Sequence, residues 1–288
     1  MESPSSRRPA AEVAVDVTLA QTLLEEQHPR FLPAPLEPVD EGWDNFVFRL
    51  GAEHALRLPR RAAAVEPLLN EERWLPELAP RLGLRVPLPV AAGLPGPRFA
   101  WPWSVVEWIE GSTAERARLG AREARTLAAA LRALHVPAHP HAPKNPFRGV
   151  PLEVRREALE AHLATLDVPA LWHAWRSALE APPCSVPVWI HGDLHPKNVL
   201  VRGGAIVGLI DWGDLAAGDP ATDLACAWTL FDARARAAFL EAYAPAEAEL
   251  RRGLGWALVL GTALATSGDA RHARMGRRVL ERVARDRA

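Results

Sequence analysis

The stretch His191–Gly192–Asp193–Leu194–His195–Pro196–Lys197–Asn198 is followed by two short apolar runs turning at Gly203–Gly204. Ile210–Asp211–Trp212–Gly213–Asp214 comes next. Asp193 and Asn198 stand five residues apart on a segment that its Gly and Pro mark as a loop. Asp211 closes the second apolar run, 18 residues beyond Asp193. Two carboxylates and an amide returned to one spot by a hairpin suit phosphoryl transfer. One carboxylate accepts the proton of the acceptor hydroxyl, and hard oxygen ligands hold Mg²⁺ on the nucleotide phosphates. An Asp and an Asn at this spacing are common in turns. The flanking β runs, the His–Gly before Asp193 and the Asp–Trp–Gly after the hairpin make this set specific.

Other residues of the segment read differently. His191 and His195, with Asp193 between them, raise a metallohydrolase. No second cluster with ligand spacing completes a zinc set, because His135, His139 and His141 lie in a Pro-rich segment. The two histidines are expected to orient the loop. Asp214, Asp219 and Asp223 read as caps and loop hydrogen bonds that pin the C-terminal part. The tryptophans read as core, with Trp43 and Trp212 as the two to watch beside the site.

Outward from this segment, the texture of the chain changes near residue 110. Before it, a helix over Val17–Gln27 capped by Asp16 precedes a hairpin, Phe46–Gly51 with Ala55–Pro59. Pro67 opens a helical stretch to about Leu82, interrupted at Pro76. Val86–Gly93 and Arg98–Ile109 form a second hairpin around Leu94–Pro95–Gly96–Pro97. After residue 110 come a helix within Ala114–His135, a Pro- and His-rich loop (Val136–Val150), and helices near 151–166 and 169–180. Two β runs follow, Asn198–Val201 and Ala205–Ile210, then helices at about 220–243, 245–266 and 269–286. The expected fold is α+β. A small β-sheet lobe with one helix (16–109) follows a flexible tail (1–15) and precedes a larger, mainly helical lobe (110–288). Ligands favour the crevice of such a two-lobed arrangement.

Composition removes whole classes of function. In 288 residues, 49% are apolar and 24% charged, which is ample for a core. The net charge of −1 gives no global attraction for nucleic acid or an anionic membrane. No apolar run approaches the ~18–20 residues that span a bilayer, and no apolar segment follows the two N-terminal arginines as in a secretory signal. Two cysteines make neither a disulfide framework nor a four-cysteine zinc site. A cytoplasmic protein with no evident protein partner is expected. Lys144 and Lys197 are its two lysines.

The segment HGDLHPKNVL with LIDWGD, followed by Gly218–Asp219–Pro220 and Asp223–Leu224–Ala225, resembles the aminoglycoside phosphotransferase family. This is the antibiotic-kinase and choline-kinase-like branch of the protein-kinase-like fold. GWDNFVFRLG, ALRLPRR, NEERWLPELAP and WPWSVVEWIEG extend the resemblance to the N-terminal part, over roughly residues 36–265. It implies a two-lobed kinase that moves the γ-phosphoryl group of ATP or GTP to a hydroxyl of a small molecule, with Mg²⁺. Asp193 would be the catalytic base, and Asn198 and Asp211 the metal ligands. Gly42 and Asn45 would lie in the loop over the phosphates, and Glu107 and Ile109 in the hinge that meets the nucleotide base.

Two departures stand out. The phosphate loop carries one glycine, Gly42. The strand lysine of the family is replaced by Arg57, with Glu71, 14 residues on, as its ion-pair partner; arginine can grip phosphate bidentately. An antibiotic of aminoglycoside or macrolide type is the leading acceptor, with a metabolic small molecule or a catalytically silent nucleotide-binding protein as alternatives. From Trp228 to Ala288 the chain carries seven acidic residues against eleven arginines, the wrong sign for recruiting a polycation.

Overall fold

The computed structural model describes residues 10–41, 44–166 and 168–286. These fall into two compact units, one of residues 10–111 with 207–213 and the other of 112–206 with 214–286.

The first unit is built on a sheet. Helix α1 (Val17–Gln27) starts where Asp16 Oδ1 accepts the Leu19 N–H at 2.8 Å, and it buries Ala20, Leu23 and Leu24. Five strands follow in the spatial order β1-β2-β3-β5-β4: β1 (Leu36–Glu41), β2 (Asn45–Leu50), β3 (His54–Pro59), β4 (Pro89–Gly93) and β5 (Trp103–Glu107). Each pairing is antiparallel. Phe46, Phe48, Leu56, Leu58, Trp103 and Val105 make the buried face, and α1 packs on it. Residues 11–15 do not behave as the expected tail. Ala11, Val13 and Val15 lie against this core, and the Glu12 N–H donates to the Arg60 carbonyl at 2.8 Å. Their alternating apolar side chains give them something to bury; residues 1–9 lie outside the described residues.

Helix α2 spans Val65–Leu82 without interruption, contrary to the expected break at Pro76. Pro76 and Pro80 are both exposed, so the carbonyls they leave unbonded are on the side where water can satisfy them. The opposite stripe, Leu68, Trp74, Leu75, Leu78 and Leu82, is buried and outweighs the lost hydrogen bonds. The segment 207–213 joins this unit through Arg85, whose N–H donates to the Val207 carbonyl at 3.2 Å and whose carbonyl accepts from Leu209 N–H at 2.9 Å.

The second unit is mainly helical. It contains β6 (Ser112–Thr113), α3 (Ala121–Leu134), α4 (Arg156–Leu166), α5 (Pro169–Leu179), β7 (Val188–Ile190) and β8 (Val199–Arg202). Strand β9 (Ala205–Leu209) closes a hairpin with β8 at Gly203–Gly204. Both glycines have positive φ, as a tight turn requires. Then come β10 (Ala216–Gly218), α6 (Ala221–Leu224), α7 (Cys226–Leu230), α8 (Ala233–Tyr243), α9 (Glu247–Ala265) and α10 (Ala270–Arg285). Helix α9 is buried on every side from Arg252 to Thr262, and α5, α6 and α10 surround it. It is the axis of this unit's core.

Candidate active site

The His191–Asn198 loop runs from β7 to β8. Asp223, from α6, has no exposed surface, and it fixes the start of the loop. Its Oδ2 accepts the His191 N–H at 2.7 Å, its Oδ1 the Gly192 N–H at 2.8 Å, and His135 Nε2 lies 3.1 Å from Oδ2. Burial pushes the Asp223 carboxyl up, but the bonds and charge of His135 and His191 hold it below the usual carboxylate value. The sequence reading of Asp223 as a pin is thereby given its atoms. Gly192 has φ +86, and a Cβ there would lie 2.6 Å from the Asp214 carbonyl oxygen. No other residue fits this turn.

Asp193 follows, with its carboxylate in a full set of contacts. Arg148 Nη2 donates to Oδ1 at 3.0 Å, His195 Nε2 lies 3.3 Å from Oδ2, and Asn198 Nδ2 donates to Oδ2 at 3.3 Å. Burial alone would raise the Asp193 carboxyl. His195, then Arg148 and His191, overcome this and hold it far below the usual range, so it is ionised at neutral pH. Asn198 also donates to the Asp193 carbonyl at 2.9 Å. With its NH₂ group committed there, its amide oxygen Oδ1 is the atom left for a cation.

In the sheet unit, Arg57 on β3 and Glu71 on α2 form a bidentate pair of 2.5 and 2.9 Å, both side chains being buried. Burial opposes the Arg57 charge, but Glu71, then Asp211 and Asp44, hold it in place. Asp211 belongs to this group. A Cβ built on Gly213 would be 3.8 Å from Asp211 Oδ1 and 3.9 Å from Glu71 Oε1. Asp211 has φ +64, a left-handed conformation that costs energy for a non-glycine residue and that clusters at functional sites. Asn45 opens β2; its Oδ1 is buried and has no hydrogen-bond partner among the described residues.

The residues expected to form the hinge are partly committed to protein. Glu107 N–H donates to the Leu88 carbonyl and Trp108 N–H to the Glu53 carbonyl, at 2.8 and 2.7 Å. Ile109 is buried, and no hydrogen bond to its N–H is found among the described residues. Gly42 and Trp43 lie outside the described residues. Trp212 is core, fully buried, with Nε1 donating to the Leu209 carbonyl at 3.1 Å.

Residues 35–256 match the family model described as the phosphotransferase enzyme family. The chain belongs to this family. Viomycin phosphotransferase of Streptomyces vinaceus is 30% identical over 216 residues, covering 65% of this chain and 70% of that one. The uncharacterized protein YcbJ of Bacillus subtilis is 34% identical over 76 residues, a match that spans 25% of each chain. Among solved structures, the GDP complex of aminoglycoside 2'-phosphotransferase-IIIa shares the fold. Its TM-score is 0.71 at 19% identity, covering 94% of this chain and 99% of that one. The macrolide 2'-phosphotransferase of Brachybacterium faecium has a TM-score of 0.60 at 25% identity, covering 90% and 98%.

This phosphotransferase also contains site residues that its sequence did not reveal. Arg148 bridges two carboxylates, since its Nε donates to Asp214 Oδ2 at 3.3 Å while Nη2 reaches Asp193. Asn145 holds Asp214 Oδ1 at 2.7 Å, and its own Oδ1 accepts the N–H groups of Phe147 and Arg148. Asp214 thus makes loop hydrogen bonds of the kind its sequence reading describes, with Asn145 and Arg148 as the partners. The available signal was Asn145–Pro146–Phe147–Arg148–Gly149, a turn sequence ending in an arginine. No helix among the described residues is long and apolar enough to cross a membrane.

Proposed function

We propose that this phosphotransferase moves the γ-phosphoryl group of ATP or GTP to a hydroxyl of a small molecule, with Asp193 as the base. The observation that carries the reading is the Asp193 carboxylate itself: ionised, fixed by Arg148, His195 and Asn198, on a backbone pinned by Asp223. Asp193 orients the acceptor hydroxyl and takes its proton as the oxygen attacks the γ-phosphorus and the bridge to the β-phosphate breaks. A loose transition state calls for the proton late, so a weakly basic carboxylate is adequate.

Arg57, oriented by Glu71, grips phosphate oxygens with the guanidinium N–H groups that Glu71 leaves. The backbone of the 106–109 segment, including the Ile109 N–H and the Glu107 carbonyl, meets the nucleotide base. Asn198 Oδ1 and the Asp211 carboxylate are hard oxygens of the type Mg²⁺ selects. Mg²⁺ held by such oxygens would supply charge neutralisation at the phosphate oxygens.

The relatives' names, viomycin, aminoglycoside and macrolide phosphotransferase, make antibiotic hydroxyls the first acceptors to offer. The reading places the enzyme in the cytoplasm, where nucleoside triphosphates are kept. It is tested by γ-³²P transfer from ATP and GTP across an acceptor panel, with Mg²⁺ and with chelator. Label appearing on an acceptor only with Mg²⁺ is expected; tight nucleotide binding without transfer to any acceptor would favour a silent binding protein.

A further inference from the structure

A row of hydrogen bonds runs from Asp223 away from the His191–Asn198 loop and across three helices. His135, which ends α3, places Nε2 3.1 Å from Asp223 Oδ2 and Nδ1 2.6 Å from the Tyr243 hydroxyl. Tyr243, the last residue of α8 and the chain's one tyrosine, donates that hydroxyl to Glu249 Oε1 at 2.8 Å, in the first turn of α9. The His135 and Asp223 side chains are 4% and 0% exposed, and Tyr243 is buried. The tyrosine is fixed from two sides. Its ring stacks on Phe239 at 6.0 Å, and Arg132 Nη1 donates to its carbonyl at 2.9 Å.

Three bonds in a row need three hydrogens. Tyr243 supplies one of them. Burial, and then the Glu249 charge, push its phenol far above the usual value, so it keeps its hydrogen, which the geometry directs at Glu249. Its oxygen is thereby left to accept, and the donor facing it is His135 Nδ1–H. The ionised Asp223 carboxylate also only accepts, so His135 Nε2 carries a hydrogen as well. Two ring N–H donors are the imidazolium form. Charge balance agrees. No arginine or lysine pairs with Asp223 among the described residues, and a buried carboxylate without a countercharge is costly. The other charged and titratable groups around the row are placed differently. Cys226 on α7 is held as a neutral thiol by burial, and His191 Nδ1 accepts the Asp193 N–H. Arg132 is on the Tyr243 carbonyl, and Arg252 on α9 is paired with Asp219.

We infer that His135, protonated on both nitrogens and oriented by Tyr243 and Glu249, is a positioning residue for Asp193. Its charge keeps the Asp223 carboxylate on the His191 and Gly192 N–H groups, and Asp193 is the next residue of the chain. A neutral His135 has one hydrogen for two acceptors and leaves Asp223 without its countercharge, so the backbone before Asp193 is held less firmly. The inference rests on the phosphotransferase reading of Asp193. Turnover should depend on this proton, whereas nucleotide binding, which the proposal gives to other residues, should not.

The test has two arms, both on the full chain. In the first, the histidine rings are labelled with ¹⁵N and followed by NMR as a function of pH. The His135 signals are assigned through their contacts with the ring of Tyr243, 5.6 Å away between centroids. Two protonated ring nitrogens are expected at pH 7, and the second hydrogen should leave at lower pH in Tyr243→Phe than in the wild type. One protonated nitrogen in the wild type, which would put the shared hydrogen on Glu249, overturns the inference. Identical titration of the wild type and Tyr243→Phe also overturns it.

In the second arm, γ-phosphoryl transfer is measured at pH 6 and pH 8, with water as the acceptor if no other is taken. Tyr243→Phe should lower kcat by about tenfold at pH 8 and by no more than about twofold at pH 6, with KM for the nucleotide unchanged at both. A purely structural role would lower kcat equally at the two pH values, and that result overturns the inference. Glu249→Gln removes the charge at the partly exposed end of the row and keeps its shape; it should act in the same direction, so the test survives if Tyr243→Phe folds poorly. A doubly protonated His135 with no transfer to any acceptor supports the charged pin on the loop and counts against the phosphotransferase reading.

Discussion

Arg57 stands where a kinase-type strand ordinarily offers lysine, and its pair with Glu71 is nearly sealed from water. Removing it with alanine would leave Glu71 buried and unpaired, so the informative variant is Arg57→Lys. Lysine keeps the charge but replaces a planar fork by a point. Binding of nucleoside triphosphate should weaken by about tenfold, while binding of the nucleoside changes little. Equal weakening of both, measured by calorimetry, would make Arg57 a structural residue.

Glu72, next to Glu71 on α2, makes a second test at this scale. Its Oε1 is buried with no partner among the described residues, and burial, with the Glu71 charge behind it, raises its carboxyl to about 7. The unfolded value is about 4.3, so the folded state binds the extra proton in the interval. The stability this group contributes is present below about pH 4 and lost as pH rises through 7. Glu72→Gln should therefore change little at pH 5 and stabilise by about 1 kcal/mol at pH 8, after allowing for the solvent that reaches the side chain. Urea unfolding at the two pH values decides it; the same ΔΔG at both would contradict the shift.

Among elements, the His191–Asn198 loop is held mainly by one helix residue. Asp223→Ala would orphan two buried N–H groups and His135 Nε2 together, at a cost of about 3–5 kcal/mol. Turnover should fall even where the variant remains folded; a loss under about 1 kcal/mol with full turnover would show that the loop holds itself.

Some elements were legible in the sequence because a local signal marked a start or a turn. The β8–β9 hairpin has Gly203–Gly204, and α1 has Asp16. Strand β1 was missed because Leu36–Glu41 carries Pro38 and three acids, the composition of an edge strand, where partners on one side alone decide pairing. The stretch expected as one helix over 220–243 is three: α6 ends at Leu224 with Ala225 between it and α7, and Phe231 is extended while Asp232 caps a new helix through the Ala235 N–H. Both breaks leave the apolar spacing almost unchanged, so periodicity could not see them. In the site, Asp193, Asn198 and Asp211 stand out by spacing. Arg148 does not, since its meaning comes from a contact 45 residues away in sequence.

For the whole molecule, the residues that the proposal gives roles fall in both units: Arg57, Glu71 and Asp211 in the sheet unit, and Asp193, Asn198, Asp214 and Arg148 in the helical unit. The family match over 35–256 takes in both sets, which is why a single substitution can test the account. The decisive measurement is γ-phosphoryl transfer by Asp193→Ala beside the wild type, with nucleotide affinity measured on the same samples. Loss of the base should lower kcat by roughly 10²–10⁴ while nucleotide affinity stays within about twofold. Turnover near the wild-type value would contradict the role of Asp193 and, with it, the proposed mechanism.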